Sequence, residues 1–328
     1  MAVPVVGALM AAFLGLRGGG DPALTAQWQL ELAADLTGAP VVVGRTVLLS
    51  TVDGSVVAAG LADGRARWRF AAGANPALAL AAGEDVVLLA TGSDLYAVDV
   101  RTGAERWRSA DLVARSLVVH GDGAYVSTAA GEAVAFDLAT GAERWRRQVP
   151  GAGTVAVAGG MVAVTRAGGM EAFDSVTGQA RWSWSGPGPG PPTPLAVDRV
   201  VVLDGGTGEL IGLAFDDGTE RWRAPAGEAI SPPSGGGAVV VQAGPDQLVA
   251  VAAETGRVRW RAGPAGATVA TDGTLVAAVV AGRLTVLDAD TGETEGVADL
   301  PTGARPAPVV VGLDVVVATG NRLLSYGV

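Results

Sequence analysis

Seven tryptophans recur along the chain at nearly constant spacing, and this feature most constrains the fold. They lie 40, 39, 38, 37, 40 and 38 residues apart. The next position in register, 36 residues on, is Gly296. A sustained period near 40 residues indicates a repeat protein in which each repeat is one supersecondary unit. The tryptophans are Trp28, Trp68, Trp107, Trp145, Trp182, Trp222 and Trp260.

A glycine stands four residues before each tryptophan from Trp68 onward, and the residue before that glycine is Thr or Asp. Gly292 holds the same place before Gly296. Glycine after Thr or Asp is typical of a tight turn that needs a positive φ. The spacing therefore predicts a turn followed by a tryptophan-bearing strand. The glycines are Gly64, Gly103, Gly141, Gly178, Gly218 and Gly256.

One full repeat, residues 116–147, divides into four short segments separated by turn residues. The segments are SLVVHG, AYVSTA, EAVAFDL and ERWRRQV. Short alternating segments with glycine between them indicate hairpin-linked strands. Four antiparallel strands in about 40 residues are typical of a propeller blade.

The number of blades follows from the two ends of the repeat array. Trp28 lies on a fourth strand, 28–32, with no preceding three. The array ends with three strands, at 307–311, 315–318 and 322–326, and no fourth. We therefore predict an all-β, eight-bladed β-propeller over residues 21–328, whose last blade is closed by the N-terminal strand. Such closure removes free sheet ends from the ring.

Composition excludes several kinds of site. The net charge is −10, all 23 basic residues are arginine, and there is no cysteine. An acidic chain without a basic block is a poor candidate for nucleic-acid binding. The absence of cysteine excludes disulfides, thiolate metal sites and a lipid-modified cysteine. His120 is the single histidine, which excludes a site that needs two imidazoles.

Residues 1–20 differ from the repeats. Residues 2–16 are continuously apolar, which is shorter than the ~20 residues of a membrane-spanning helix. The segment is typical of a secretory signal core, although no positive charge precedes it. We expect a signal peptide or membrane anchor followed by a glycine-rich linker, and hence an extracytoplasmic protein; a buried or disordered tail is the alternative.

Arginine flanks most of the tryptophans. Alternation along a strand would place the indole on one face and both guanidiniums on the other. Charges on an outer strand discourage unwanted strand pairing, and a binding belt is the alternative interpretation. The residues concerned are Arg67, Arg69, Arg106, Arg108, Arg144, Arg146, Arg181, Arg221, Arg223, Arg259 and Arg261.

Acidic residues recur in the turns between second and third strands. Since these turns share one face of a propeller, they form a partial acidic ring, interrupted by Gly169, Arg283 and Arg322. Such a ring could attract a cation or a basic partner segment; alternatively, Asp and Glu are simply good residues for exposed turns. The candidate acidic face comprises Asp53, Asp94, Glu132, Glu209 and Asp246.

The repeat resembles a known family. The segment from Ala97 through Asp99, Thr102 and Gly103 to Trp107 resembles the AxDxxTGxxxW "tryptophan docking" repeat of pyrroloquinoline-quinone (PQQ)-type propellers. The segments ending at Trp145 and Trp182 match equally well, while other repeats are degenerate. The resemblance covers residues 28–328.

The resemblance implies that each tryptophan packs between neighbouring blades and sets their angle. It predicts a smaller loss of stability on removing Trp28, at the closure, than on removing Trp107 or Trp145. The structural docking residues so implied are Trp68, Trp107, Trp145, Trp182, Trp222, Trp260, Gly103, Gly141 and Gly178.

Three functions remain open at this point. The resemblance favours a non-catalytic, exported binding or scaffold propeller that contacts a protein or small ligand, and we expect a monomer. A dehydrogenase dependent on PQQ and Ca²⁺ is the alternative. The family's enzymes carry insertions between blades and many carry a vicinal cysteine pair, which are missing here, so we expect neither cofactor. A ligand or cation sensor that uses the acidic turns is the third. We predict no catalytic or metal-ligating residue.

Overall fold

A computed structural model describes residues 21–73, 79–186, 194–205, 208–229, 231–301 and 307–328. Within these ranges the chain forms 32 strands and no helix. The strands make eight four-stranded antiparallel sheets, which confirms the predicted eight-bladed propeller. The expectations for residues 1–20 lie outside the described residues.

Strand β1 (Ala26–Glu31) belongs to the last blade, and blades 1 to 4 follow it along the chain. Their strands are β2–β5 (Val41–Val43, Thr46–Ser50, Ser55–Gly60, Ala66–Ala71), β6–β9 (Ala79–Ala82, Val86–Ala90, Leu95–Asp99, Glu105–Ser109), β10–β13 (Ala114–His120, Gly123–Thr128, Glu132–Asp137, Glu143–Gln148) and β14–β17 (Val155–Ala158, Met161–Arg166, Gly169–Asp174, Ala180–Ser185).

Blades 5 to 7 repeat this order, and blade 8 takes its fourth strand from β1. Their strands are β18–β21 (Leu195–Val197, Val200–Asp204, Glu209–Ala214, Glu220–Pro225), β22–β25 (Ser234–Gly236, Val239–Ala243, Leu248–Ala252, Val258–Ala262), β26–β29 (Thr268–Thr271, Leu275–Val280, Arg283–Asp288, Thr294–Asp299) and β30–β32 (Ala307–Val311, Asp314–Thr319, Arg322–Gly327).

The ring closes through blade 8. Strand β1 pairs antiparallel with β32, with Trp28 opposite Ser325 and Leu30 opposite Leu323. The first strands of all eight blades contact their neighbours in turn, and β30 contacts β2. The first strands therefore surround the centre, and the tryptophan-bearing fourth strands form the outer rim. The predicted composite blade is confirmed.

The core consists of eight apolar clusters, each between two consecutive blades. Both faces of every blade are therefore buried. This explains why the middle strands, such as β4 (SVVAAG) and β7 (VVLLA), are buried at every position. Burial on both faces favours continuous runs of small and medium apolar residues over strict alternation.

Each tryptophan contacts the turn between the third and fourth strands of the next blade. The Trp107 indole N–H donates to the Leu138 carbonyl at 2.9 Å. A Cβ at Gly141, where φ is +74°, would lie 2.6 Å from Cδ2 of Trp107. Glycine is therefore required for conformation and for space. Seven indoles donate in this way, to the carbonyls of Leu61, Val100, Leu138, Ser175, Phe215, Ala253 and Ala289.

A small residue lies opposite the tryptophan within its own blade. Ala135 is opposite Trp145 and has no exposed surface. The relation is reversed in blade 7, where Val286 lies opposite Gly296. A large side chain at one of the two positions is thus matched by a small one at the other, as close packing requires. The small partners in the other blades are Ala58, Ala97, Ala172, Gly212, Ala250 and Ser325.

Blade 7 lacks a tryptophan, and Leu24 occupies the corresponding space. A Cβ at Gly296 would lie 2.6 Å from Cγ of Leu24, which packs on the apolar cluster between blades 7 and 8. Residues 22–24 form a short strap along β29: Leu24 N–H donates to the Val297 carbonyl at 2.7 Å, and Val297 N–H donates to the Pro22 carbonyl at 2.8 Å. The strap holds the first described residues against the outer edge of blade 7.

The Asp-x-x-Thr-Gly motif builds the turn that receives the tryptophan. Asp137 Oδ1 accepts hydrogen bonds from Thr140 N–H at 2.9 Å and Thr140 Oγ1 at 2.8 Å. Asp137 Oδ2 lies 2.7 Å from Nη2 of Arg144. The hydrogen bond from Arg144 is the main cause that lowers the pKa of Asp137 from 3.8 to about 2, followed by the Thr140 bonds.

We expect Trp28→Ala and Trp145→Ala to cost about 3–5 kcal/mol each. Trp28 makes the same hydrogen bond as Trp145, and both side chains are buried. We therefore now expect removal of Trp28 to lower the free energy of unfolding about as much as removal of Trp145, rather than less as the sequence suggested. Chemical denaturation of both variants measures the free energy of unfolding. Trp184→Ala is the matched control, since Trp184 is partly exposed and lies outside the repeat register. A Trp28 loss no larger than this control would contradict the prediction.

We expect Leu24→Ala to cost about 1–2 kcal/mol, because a half-buried leucine loses part of its apolar contact. Hydrogen exchange should also quicken at the Val297 amide, which donates to the strap. The Gly292 amide, bonded within its own turn to the Asp288 carbonyl, is the internal reference. Thr25→Ala, at an exposed neighbouring position, is the control variant. Unchanged exchange at Val297 in Leu24→Ala would show that the strap does not depend on this contact.

Asp137→Asn should destabilise the protein at neutral pH and lose its effect in acid. The pKa of Asp137 is depressed in the folded state, so its carboxylate stabilises the fold above its unfolded pKa, near 3.8. That contribution is lost as the pH falls through about 2. Urea denaturation of wild type and variant between pH 7 and 2 measures the difference. Asp246→Asn, at an exposed turn, is the control variant. A difference that stays constant down to pH 2 would refute the prediction.

Candidate binding surfaces of the ring

The ring has two faces, which differ in the turns they carry. The 2–3 face carries the turns between second and third strands and the connections from one blade to the next. The 1–2 face carries the turns between first and second and between third and fourth strands. Leu112 N–H, in a blade connection, donates to the carbonyl of Ser93, in a 2–3 turn, at 2.8 Å. Connections and 2–3 turns therefore lie together.

Four of the five predicted acidic residues on the 2–3 face form ion pairs with the arginine that follows the tryptophan of their own blade. Arg108 lies 2.8 Å from Asp94, and Arg146 lies 2.5 Å from Glu132. Asp246 is exposed and makes no ion pair with any described residue. In these four blades each acidic side chain of the 2–3 turn is therefore accompanied by an arginine. The other two pairs are Asp53 with Arg69 and Glu209 with Arg223.

Hydrogen bonds fix these turn carboxylates in place. Asp53 accepts a hydrogen bond from Thr51 Oγ1 at 2.6 Å. This bond is the largest cause that lowers the pKa of Asp53, and the Arg69 charge contributes to the same shift. These contacts therefore favour the ionised form of the Asp53 carboxyl.

The arginine before each tryptophan is directed to the 1–2 face. A register shift in each outer hairpin makes this residue a β-bulge, with Trp145 opposite Ala135 and Glu143 opposite Phe136. The bulge breaks the simple alternation expected from the sequence. Arg106 reaches Asp99 at 2.6 Å, and Arg181 reaches Asp174 at the same distance. The two arginines of a blade thus serve opposite faces.

These two sets of ion pairs lie along the rim, one set toward each face of the ring. Exposed pairs of this kind contribute little to stability singly. In blades 1, 2 and 3 they leave the outer strand carrying charged side chains at both ends, which discourages strand pairing. The pairs on the 2–3 face could have been found from the spacing of charges in the sequence. The acidic residue and its arginine are separated by 16, 14, 14 and 14 residues in the four blades.

A shallow groove opens on the 2–3 face between blades 2 and 3. It is lined by residues 109–113 and 128–130 with Glu132 and Arg146, and its volume is about 180 Å³. Small-molecule sites usually measure about 300–1,000 Å³. Val113 at the groove is 42% exposed, and Val52 in the 2–3 turn of blade 1 is 48% exposed. The face therefore combines exposed apolar side chains with paired charges.

The described residues offer no constellation for metal chemistry. No group of three or more His, Asp or Glu side chains among them is placed to hold an ion. On the 2–3 face the carboxylates come from separate blades, and four of them are engaged by arginine. This donor set does not fit Ca²⁺, which takes six to eight oxygen ligands. His120 is exposed at the end of β10.

No helix in the described part of the chain has both the length and the apolar character needed to cross a bilayer.

Comparison of whole chains supports the fold. The crystal structure of BamB from Moraxella catarrhalis is 22% identical, with a TM-score of 0.74, over 93% of this chain and 100% of that one. The designed protein Ika8 is 14% identical, with a TM-score of 0.77, over 94% and 100%. The quinohemoprotein alcohol dehydrogenase from Comamonas testosteroni is 14% identical, with a TM-score of 0.68, over 93% of this chain and 76% of that one. At these identities the likeness shows the fold alone.

Sequence families give a more specific result. No curated protein matches the sequence significantly. The family model described as outer membrane protein assembly factor BamB matches residues 25–110, 91–231 and 214–326. These matches together span nearly all of the described ring. The chain therefore belongs to the PQQ-like repeat family described as outer membrane protein assembly factor BamB.

Proposed function

We propose that this protein is a non-catalytic scaffold that works outside the cytoplasm and binds another protein through the 2–3 face. One observation carries the proposal: the two faces of every blade are buried in the eight inter-blade cores, so interactions with other molecules fall to the turns and the rim. The family name describes an assembly factor, and assembly requires partners. Fold alone would not support this step.

The composition of the 2–3 face supports protein binding. Val52 and Val113 supply exposed apolar surface, and the neighbouring carboxylates are already neutralised by arginine. Protein interfaces combine an apolar centre with a polar rim in this way. The groove is too small to enclose an extended cofactor such as PQQ, and the proposal requires neither PQQ nor Ca²⁺.

Export depends on the N-terminal segment. The apolar residues 2–16 would direct the chain out of the cytoplasm and either be removed or remain as a tether. Arg17, Gly18, Gly19 and Gly20 would then link this segment to the strap at residues 22–24.

The experiment is cross-linking in the native cells followed by capture of the tagged full-length chain from the envelope fraction. We expect a defined partner to be captured by the wild type and lost with Val52→Asp/Val113→Asp, because each substitution places an unpaired charge in the apolar part of the interface. The matched control is Val176→Asp/Leu313→Asp, which charges two exposed apolar residues of the 1–2 face. This control should retain the partner.

Thermal unfolding of both double variants checks that each is folded, and capture in the presence of a calcium chelator should match capture without it. Recovery of the chain in the cytosolic fraction would contradict the proposed location. Equal loss of the partner in both double variants, or none in either, would contradict the assignment of the face.

A further inference from the structure

Blade 4 departs from the charge pattern of the rim. In blades 1, 2, 3, 5 and 6 the residue after the tryptophan is arginine, whereas blade 4 has Ser183. Its 2–3 turn also lacks an acidic residue and ends at Gly169. In this blade an arginine and an acidic residue pair closer to the centre of the ring: Arg166 on β15 lies 2.9 Å from Glu171 on β16. The outer strand β17 therefore carries no charge beyond Arg181.

The outer edge of β17 presents free backbone groups of known position. Gly186 N–H donates to the Gly168 carbonyl, and Trp184 lies opposite Met170. In an antiparallel pair, alternate residues direct their N–H and C=O groups toward the neighbouring strand. Those of Trp184 therefore point toward β16, and those of Ser183 and Ser185 point outward. Both serines are exposed, so nothing among the described residues shields these groups.

An apolar side chain accompanies this edge. Trp184 packs on the cluster between blades 4 and 5 and remains partly exposed. The corresponding residue is Ala224 in blade 5 and Leu30 in blade 8, and both are buried. An added strand would gain an aromatic cross-strand neighbour at Trp184, a pairing that stabilises sheets.

The chain itself shows how an edge without arginine is used. The outer strand of blade 7, β29, has Glu295, Gly296 and Val297 in place of Arg-Trp-Arg. Residues 22–24 add to it as an extra parallel segment through two backbone hydrogen bonds. In blade 7, where the arginine after the tryptophan position is missing, the rim of this ring accepts an added strand.

We propose that β17 is a docking edge for an extended, uncharged segment of a partner protein, which adds to blade 4 as a fifth strand. The segment has small or hydroxyl side chains beside Ser183 and Ser185 and an apolar side chain beside Trp184. Backbone bonds supply the affinity and alternate side chains the selectivity. The inference rests on the proposed scaffold function and names a second contact on the same ring.

Strand β1 also lacks arginine but is a poorer edge for such a partner. Its long Gln27 side chain lies against Gly327, and Trp28 and Leu30 are both buried. An incoming strand would find no large exposed apolar side chain within residues 26–31. This strand therefore provides the matched control.

The test is hydrogen exchange of the full-length chain with a defined probe. The probe is a capped peptide with a central Thr-Val-Thr-Val-Thr stretch between Gly-Lys ends. The control peptide has Thr-Pro-Pro-Pro-Thr in its place, which removes ladder donors whichever way the added strand runs. We expect the first peptide to slow exchange at the Ser183 and Ser185 amides by about tenfold or more, as pairing protects edge amides. The proline peptide should not.

Ser183→Arg restores the pattern of the other blades and should abolish this protection, whereas Gln29→Arg on β1 should leave it intact. Unchanged exchange at Ser183 and Ser185, or protection that survives Ser183→Arg, would overturn the docking edge while leaving the scaffold function in place. Protection that grows with protein concentration before peptide is added would also overturn it, since the occupant would then be a second copy. Failure of partner capture in cells would instead count against the scaffold function.

Discussion

The ring depends on one repeated contact, in which the indole of one blade lies on the turn glycine of the next. The contact joins a hydrogen bond with close packing: Trp107 reaches the Leu138 carbonyl, and the approach is possible only because Gly141 has no side chain. Blades 1 to 6 each donate to the next blade and accept from the preceding one, whereas blade 7 only accepts and blade 8 only donates. The two halves of the contact lie in different blades, and the same contact joins seven of the eight pairs of neighbouring blades.

This reciprocity also explains where the pattern stops. The third and fourth strands of blade 8 are β32 and β1, which are distant in sequence, so no Thr-Gly turn joins them. A tryptophan in blade 7 would have no turn glycine to lie on. Position 296 is glycine instead, Val286 is larger than its counterparts, and Leu24 fills the remaining space from the strap. The missing tryptophan of blade 7 therefore follows from the way in which β1 closes blade 8.

The sequence predicted the repeat and the closure of the ring, and it missed several side-chain contacts. The strand count and composite blade follow from turn residues and the period of the tryptophans, and both are confirmed. The sequence could place Asp53 and Glu132 in equivalent turns, but pairing with Arg69 and Arg146 depends on the twist of a blade. Strict alternation failed at Arg144 because a bulge, which no residue type announces, shifts the register. Leu24 was missed because its partner Gly296 is far along the chain.

Interior and rim obey different rules in this molecule. Inside, every blade packs against two neighbours, so most of its buried residues are small or medium-sized apolar types, with a few aromatic side chains. On the rim no neighbour imposes such a demand, and a blade is free to differ. Blade 7 uses this freedom to hold the strap, through Val297. Blade 4 uses it to expose Ser183, Trp184 and Ser185 without a charge on the edge. Since unprotected edges invite pairing, an edge left open on an otherwise guarded rim is the place where a partner strand can bind without competing with the core.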